Sequence, residues 1–527
     1  MDSKSNNHND FEQHNLKIDK LTSSNSQLIS QLSKLLNQNK DLQKSNKIQF
    51  KEFTKAISEL KSIIKERNAE VSKLKEQLNK NSSNSSKPSS TNFYTKPKPK
   101  PKPSTLNRRN GKGSIKKSNG GQKGHLGKTM LLKKEPDAIT RCIPTSCESC
   151  PLFGKCKAQV VDSRNVVDVV IKSFQTQYKR EQYNCPMQGG ILIKGEFPVG
   201  VNSYMQYGNT LKSLVVTLSS FGMMSMSRIA ETINALTGFS MSDSSVNNMI
   251  LSCSNECKKQ IPLLREKIIN SPVVGLDETG IRVCGKINWM HTASTQDKTL
   301  LVSNAKRGKL GIDACGVLPL FKGVAVHDCW GPYYDESYSK ATHAVCGAHI
   351  DRELQGVIDN HNQHWAKQMQ KILIAMYVEK KELIAKGIFM APDTMIQDFN
   401  QRYNNIIKKG ISRNPIVNVK KKGRGRPKKG KVRSLIDRLY KLKDDVMRFF
   451  TDFRVPFSNN IAERSYRLSK KKMQIAGTFR ANDGGERFAT IFSIIDTCRK
   501  NGIGPIQALL DILNGTFSFN FLSQPTG

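Results

Sequence analysis

The sequence predicts an α/β core, a mixed sheet with helices, split by a mostly helical insertion and preceded by several smaller modules. Three observations carry this. A chain of 527 residues is too long for one hydrophobic core. Residues 272–328 change character from helix-spaced apolar residues to short apolar runs bounded by turn residues. Leucines at the amino end recur every seven residues, which is a different architecture altogether.

Residues 1–80 read as a coiled coil. Leu21, Leu28, Leu35 and Leu42 keep the heptad, with Leu32 between them, and Asn25 and Asn39 fall on the intervening a-type positions. After a slip the pattern resumes at Ile57, Leu60, Ile64, Val71, Leu74 and Leu78. A heptad with a stutter and buried Asn restricts register and oligomer number, so a homo-oligomer is expected. Residues 81–135 read as a basic, disordered linker. From 81 to 134 there is no Asp or Glu and there are fourteen Lys or Arg, in strings such as "KPKPKPKP" and "GGQKGHLGK".

Residues 136–200 hold the dense cysteine cluster: Cys142, Cys147, Cys150 and Cys156, with Cys185 further on. A Cys-x-x-Cys pair with further cysteines nearby suits tetrahedral Zn²⁺, and scattered cysteines elsewhere argue against a disulfide framework. Residues 201–270 read as helices and a DNA-binding region, with a plain scaffold as the alternative. Gly238 closes one helix there, and Ser242 or Asp243 caps the next.

The first part of the core is placed at 271–349. "PVVGLDETG", "INWMHTAST" and "KTLLVSN" are strands, "KLGIDACGVL" a helix, and "FKGVAVHD" a fourth strand. The first and fourth strands end on Asp277 and Asp328. Three antiparallel strands, a helix and a parallel fourth strand put those two acids on neighbouring strands, the arrangement of a ribonuclease-H-like core. Residues 350–453 are the helical insertion, broken by a basic loop, Lys420–Arg433, with nine basic residues in fourteen. Within it "RGRP", with Arg424 and Arg426, has the form of a minor-groove-binding hook, or is simply a basic loop. The second part of the core, 454–515, carries Glu463 on a helix entered through Asn459 and Asn460, and 516–527 is a tail. "HAVCGAH" sets His343, Cys346 and His349 three apart; with no fourth ligand evident, they read as core residues.

Phosphodiester chemistry needs charge neutralised on the attacking and leaving oxygens, and two Mg²⁺ about 4 Å apart held by carboxylates can do it. Asp277, Asp328 and Glu463 are the candidates. The formal charge of +40, from 84 Lys+Arg against 44 Asp+Glu, calls for a polyanion, double-stranded DNA. Arg464, Arg467, Lys470 and Lys471 follow Glu463 and are candidate phosphate contacts. No apolar run is long enough to span a bilayer and no signal-peptide core is present, so a cytoplasmic protein without a membrane partner is expected.

"GGQKGHLG", "LDETGIRVCGKINWMHTAST", "AVHDCWGPYY", "HAVCGAHIDREL" and "NNIAERSYR...AGTFR...GGERFATIFSIIDT" together resemble the insertion sequence 66 family of bacterial transposases. The resemblance runs from about 81 to 515 in the same order. It implies a ribonuclease-H-like fold with an Asp-Asp-Glu triad, here Asp277, Asp328 and Glu463, interrupted by a helical insertion. It implies metal-dependent cleavage at the ends of a mobile element and transfer of the 3′ end into target DNA. It also implies a zinc ribbon with two Cys-x-x-Cys pairs. This sequence departs there: Gln188 stands where the second pair needs its last cysteine, leaving Cys147, Cys150, Cys185 and Cys156, or Cys142 in place of the last. Two other readings use the same features: a transposase-derived, non-catalytic DNA-binding protein dimerised by the coiled coil, and a metal-dependent nuclease without strand transfer.

Overall fold

The computed structural model describes residues 6–80, 84, 135–416 apart from 154, 158, 170 and 199, and 430–523. These form two compact units, one of residues up to 94 with 355–363, the other holding the rest. The first unit is built on one helix, α1 (Asn6–Leu78). Its heptad residues Leu21, Leu28, Leu35, Leu42, Leu60 and Leu74 are all exposed in the single chain. The basic linker and the "RGRP" segment lie outside the described residues, save for Asn84 and Glu135.

In the second unit, the described residues of 135–200 include one α-helical turn, α2 (Thr145–Glu148), and a hairpin of β1 (Gln182–Cys185) and β2 (Ile191–Lys194) joined through a 3-10 turn at Pro186–Gln188. Among the described residues of this stretch none is buried.

Three helices follow: α3 (Asn209–Ser220), α4 (Met226–Thr237) and α5 (Asp243–Ile269). Gly238 ends α4 at φ 74°, a left-handed conformation that glycine adopts without strain, and Ser242 rather than Asp243 caps α5 by accepting from the Ser245 N–H. Val216, Ile229, Ile233, Val246 and Leu264 on these helices belong to the same core as the sheet.

The sheet has five strands: β3 (Val273–Val283), β4 (Lys286–Ser294), β5 (Thr299–Asn304), β6 (Val324–His327) and β7 (Thr342–Val345), ordered β5-β4-β3-β6-β7. The first three are antiparallel; β6 runs parallel to β3, and β7 parallel to β6. Helix α6 (Lys309–Cys315) provides the crossover from β5. The strand order expected from sequence is present, with β7 added; β3, however, does not end on Asp277 but runs on to Val283, paired with β4 throughout, while Asp328 directly follows β6 as expected. Strand β7 is only four residues long and half-covered, too short for a periodicity signal.

After β7 come α7 (Gly347–His361), α8 (His364–Ala385), α9 (Asp393–Arg413), α10 (Lys431–Lys441) and α11 (Lys443–Thr451). Trp365, Met376, Tyr403, Ile436, Leu439 and Phe450 are buried along them. Two polar anchors sit in this apolar packing. Tyr403 donates its hydroxyl to the Leu439 carbonyl at 2.9 Å, and Lys380 Nζ donates to the carbonyls of Phe449 and Val455. The chain then returns to the sheet through α12 (Asn460–Ala476), α13 (Gly484–Lys500) and α14 (Pro505–Asn514).

Side chains alternate across β3, so Gly275, Asp277, Thr279 and Ile281 face one side. Helix α12 crosses that side. A Cβ on Gly275 would lie 2.3 Å from Asn459 Oδ1 and 3.4 Å from Ala462 Cβ. Asn459 and Asn460 are the entry to α12, as expected, with Asn459 at the cap position but making no side-chain cap bond. Its Nδ2 instead donates to the Leu276 carbonyl at 2.7 Å, so the side chain reaches across to the strand rather than back to its own helix. At the other end Lys472 Nζ donates to the carbonyls of Ser219 and Met224, tying α12 to the α3–α4 corner.

Gly275→Ala should therefore destabilise the protein by about 1–3 kcal/mol through overpacking. In urea unfolding, Gly275→Ala combined with Asn459→Ala should cost less than the sum of the two single changes, because removing the Asn459 amide vacates the space the new methyl needs. Strict additivity would mean that the close approach does not hold α12 in place.

Candidate functional site

The parallel pairing of β3 with β6 ends at Gly275 opposite Val326. Continuing that register two residues brings Asp277 opposite Asp328, and the shared parity puts both on the α12 side of the sheet. Asp277 Oδ1 accepts the Glu278 N–H at 2.8 Å, and Asp328 Oδ1 accepts the Trp330 N–H at 2.9 Å, so each carboxylate is fixed by a local turn-type bond. Glu463 lies in the first turn of α12 and faces inward, 17% exposed. Tyr466, one turn further, points its hydroxyl at Asp277.

The charges bearing most on Asp277 are Glu278, Asp328 and Glu463, all acids. Burial first, then these like charges, push its carboxyl up to about 8. Asp328 is raised too, by burial and then by Glu278. Arg307 partly offsets the rise at Asp328, whereas the charges bearing on Asp277 are all negative, within a chain of net charge +40.

Glu278 was not singled out from sequence. It points to the opposite face, where it is buried, accepts the Tyr333 hydroxyl at 2.5 Å and pairs with Arg307 at 2.7 Å. Arg307 lies between the rings of Trp330 (4.2 Å) and Trp289 (4.8 Å). The signal was the adjacent acids in "LDETG": strand alternation already puts one on each face.

The cations near Glu463 are not those next to it in sequence. Its Oε1 lies 3.6 Å from Arg352 and 3.9 Å from His349, both on α7. Arg464 and Arg467 are exposed and form no ion pair among the described residues; Lys471 is exposed, and Lys470 lies over the Tyr466 ring. Of the "HAVCGAH" residues, His343 goes elsewhere, its Nδ1 2.9 Å from His327 Nε2. Cys346 and His349 come together beside Glu463, which sequence reasoning missed because Glu463 is more than a hundred positions away.

Among the cysteines, Cys142, Cys147 and Cys156 are exposed and Cys150 is half-buried. Cys147 and Cys150 bracket the tight turn that ends α2, the Cys150 N–H donating to the Cys147 carbonyl at 3.3 Å. Cys185 ends β1, and its side chain lies outside the described set. Arg424 and Arg426 also fall outside it.

Residues 205–487, more than half of the chain, match the family described as Transposase IS66 family. The chain belongs to that family. The matched span includes all three carboxylates, the five-stranded sheet and the helical insertion. An uncharacterized protein of Sinorhizobium fredii (strain NBRC 101917 / NGR234), y4qI, is 32% identical over 74 residues, 14% of this chain. The aligned part spans 13% of y4qI's own length. Among the described residues of this family member, no helix is long and apolar enough to cross a membrane.

The raised Asp277 carboxyl has a consequence for stability. A group whose folded pKa lies above its unfolded value binds extra protons in the folded state, so stability is fully present at low pH and falls as pH rises from about 4 to about 8. Without added metal, Asp277→Asn should melt higher than the parent at pH 8, by roughly 2–4 °C per kcal/mol of relieved repulsion, and the gap should shrink at pH 5. Parallel melting curves at both pH values would show that the Asp277 carboxyl is not raised.

Proposed function

We propose that this protein is a DNA transposase whose Asp277, Asp328 and Glu463 act together on phosphodiester bonds. The observation that carries it is the delivery of Glu463 by α12 onto the face of the sheet that presents Asp277 and Asp328. The strand order, three antiparallel strands followed by two parallel ones, supports a ribonuclease-H-like core. Family membership supports the reaction class.

The donor set is all oxygen and short of positive charge, which fits two hard divalent cations, Mg²⁺, held by the three carboxylates. When bound, such ions neutralise the attacking and leaving oxygens of the phosphodiester. The chain's own groups do the rest. Tyr466 orients Asp277. Arg352 tempers the charge of Glu463 at 3.6 Å, too long for a tight bidentate bond, so the carboxylate stays available. Arg464 and Arg467, exposed and unpaired, contact the phosphates flanking the scissile bond, with Lys470 and Lys471 extending that track. Water attacks at the element's end and leaves a 3′-hydroxyl; that hydroxyl then attacks target DNA in line.

Two outer modules complete the reading. The exposed heptad face of α1 suits a second copy of the chain, making the enzyme a homo-oligomer. Residues 135–200, with no buried residue among those described, need a staple. Cys147, Cys150, Cys156 and Cys185 would hold one Zn²⁺ there, with Cys142 the alternate for Cys156. The basic linker and Arg424 and Arg426 add contacts to double-stranded DNA.

Asp277→Asn, Asp328→Asn or Glu463→Gln should each abolish cleavage of element-end DNA while leaving DNA binding intact. Normal cleavage by any of them removes that residue from the site; intact cleavage by all three leaves a DNA-binding protein. Arg464→Ala with Arg467→Ala should weaken binding across all sequences and lower the slope of log affinity against log salt by about 2.

A further inference from the structure

The junction of β7 and α7 carries a second group of ligand-type atoms. Cys346 sits between the strand and the helix and is fully buried; His349 lies in the first turn of α7. One atom each from Cys346, His349 and Glu463 lie within 4.8 Å of one another. His349 Nδ1 and Glu463 Oε1 face each other at 3.9 Å; both atoms are buried and neither makes a hydrogen bond, Glu463 Oε1 having the Arg352 guanidinium only at a loose 3.6 Å. That gap is too long for a hydrogen bond, and leaving two buried polar atoms unsatisfied is costly.

A cation between them would satisfy both. Ligands of one tetrahedral zinc stand about 3.3–3.8 Å apart, given bond lengths of about 2.0–2.3 Å, so modest side-chain movement closes the set. The sulfur already accepts one backbone amide, the Asn459 N–H donating to Cys346 Sγ at 3.2 Å, while burial pushes its thiol up to about 11. An amide donated to the sulfur is the outer support a metal-bound cysteine uses, and the bound cation itself would stabilise the thiolate.

We propose that Cys346, His349 and Glu463 form a site for a thiophilic divalent metal, Zn²⁺, that shares Glu463 with the Asp277–Asp328 pair. Its sulfur, imidazole and single carboxylate select zinc over Mg²⁺, which seeks oxygen ligands. The fourth position is open to water. Because Glu463 is common to both sets, zinc here draws that carboxylate away from the phosphodiester site and holds the enzyme off. This consequence rests on the transposase reading; the metal site itself does not.

The test is zinc content of the full-length chain after dialysis against trace zinc, measured per folded chain. His349→Gln and Glu463→Gln should each carry one zinc fewer than the parent, and Asp277→Asn the same number as the parent. Cobalt substitution adds a second readout: Cys346→Ser should lose part of the thiolate-to-cobalt absorption. His349→Gln, checked by circular dichroism, reports even where Cys346→Ser fails to fold. Equal zinc in parent and His349→Gln would overturn the site. Zinc lost equally in Asp277→Asn would move it to the carboxylate trio, and zinc retained in Glu463→Gln would end the shared-ligand claim. No DNA is present in the assay, so a parent that fails to cleave DNA refutes the transposase reading alone.

Discussion

The site depends on one close approach, that of Asn459 to β3. Gly275 has no side chain, and Asn459 fills the space, its Nδ2 on the Leu276 carbonyl at 2.7 Å and its own N–H on Cys346 Sγ at 3.2 Å. One residue thus joins the first strand of the core, the junction after the last strand, and the helix carrying Glu463. Beneath α12 the contact is polar rather than oily. Ser465 Oγ lies 3.0 Å from Ser294 Oγ and 3.2 Å from Thr299 Oγ1, and Thr299 reaches Asp496 at 2.7 Å. Apolar surfaces tolerate sliding; a satisfied hydroxyl chain accepts one register. A helix that must aim one carboxylate benefits from that.

The charge layout follows the same logic. The chain as a whole is strongly basic, yet where the β3–β6 pairing ends it gathers acids. Two of them have cations of their own: Arg307 serves Glu278 from the far face, held between two tryptophans, and Arg352 stands by Glu463. The charges bearing on Asp277 are all negative, and its hydrogen-bond donors are neutral, the Glu278 N–H and the Tyr466 hydroxyl. The shortage is local, placed on the face that α12 covers. On the metal-dependent reading, a cation arriving there would offset both the burial and the like charges that raise Asp277.

Much of this was legible in the sequence, and the unread part has physical reasons. The strands of 272–328 announced themselves by apolar runs and turn residues; Asp328 follows where its run stops, but β3 runs past Asp277 to Val283, because its antiparallel pairing with β4 continues through the polar residues after the apolar run. Gly238 and Ser242 marked helix ends correctly because caps are local chemistry. Asn459 marked the start of α12 in the same way, but its bond to the strand was not legible, because it depends on the absence of a side chain at Gly275, far upstream. Cys346 and His349 looked like core residues because their third neighbour, Glu463, comes from beyond the helical insertion. Glu278 hid behind Asp277, since adjacency on a strand means opposite faces.

Helix α12 sorts its residues by face, and that sorting links binding to chemistry. Glu463 and Tyr466 turn inward toward Asp277, and Ser465 and Ser469 are buried in the helix–sheet contact, while Arg464 and Arg467 turn out. Lys472 is the exception that proves useful: its ammonium is spent on the Ser219 and Met224 carbonyls, and burial lowers its pKa, so it serves as an anchor rather than a phosphate contact. With both ends of the helix pinned, by Asn459 and by Lys472, the distance between the outward arginines and the inward carboxylate is fixed by helical geometry alone. DNA held by those arginines would meet Glu463 at a set depth. Any change that loosens one pin would misplace the carboxylate without touching a ligand.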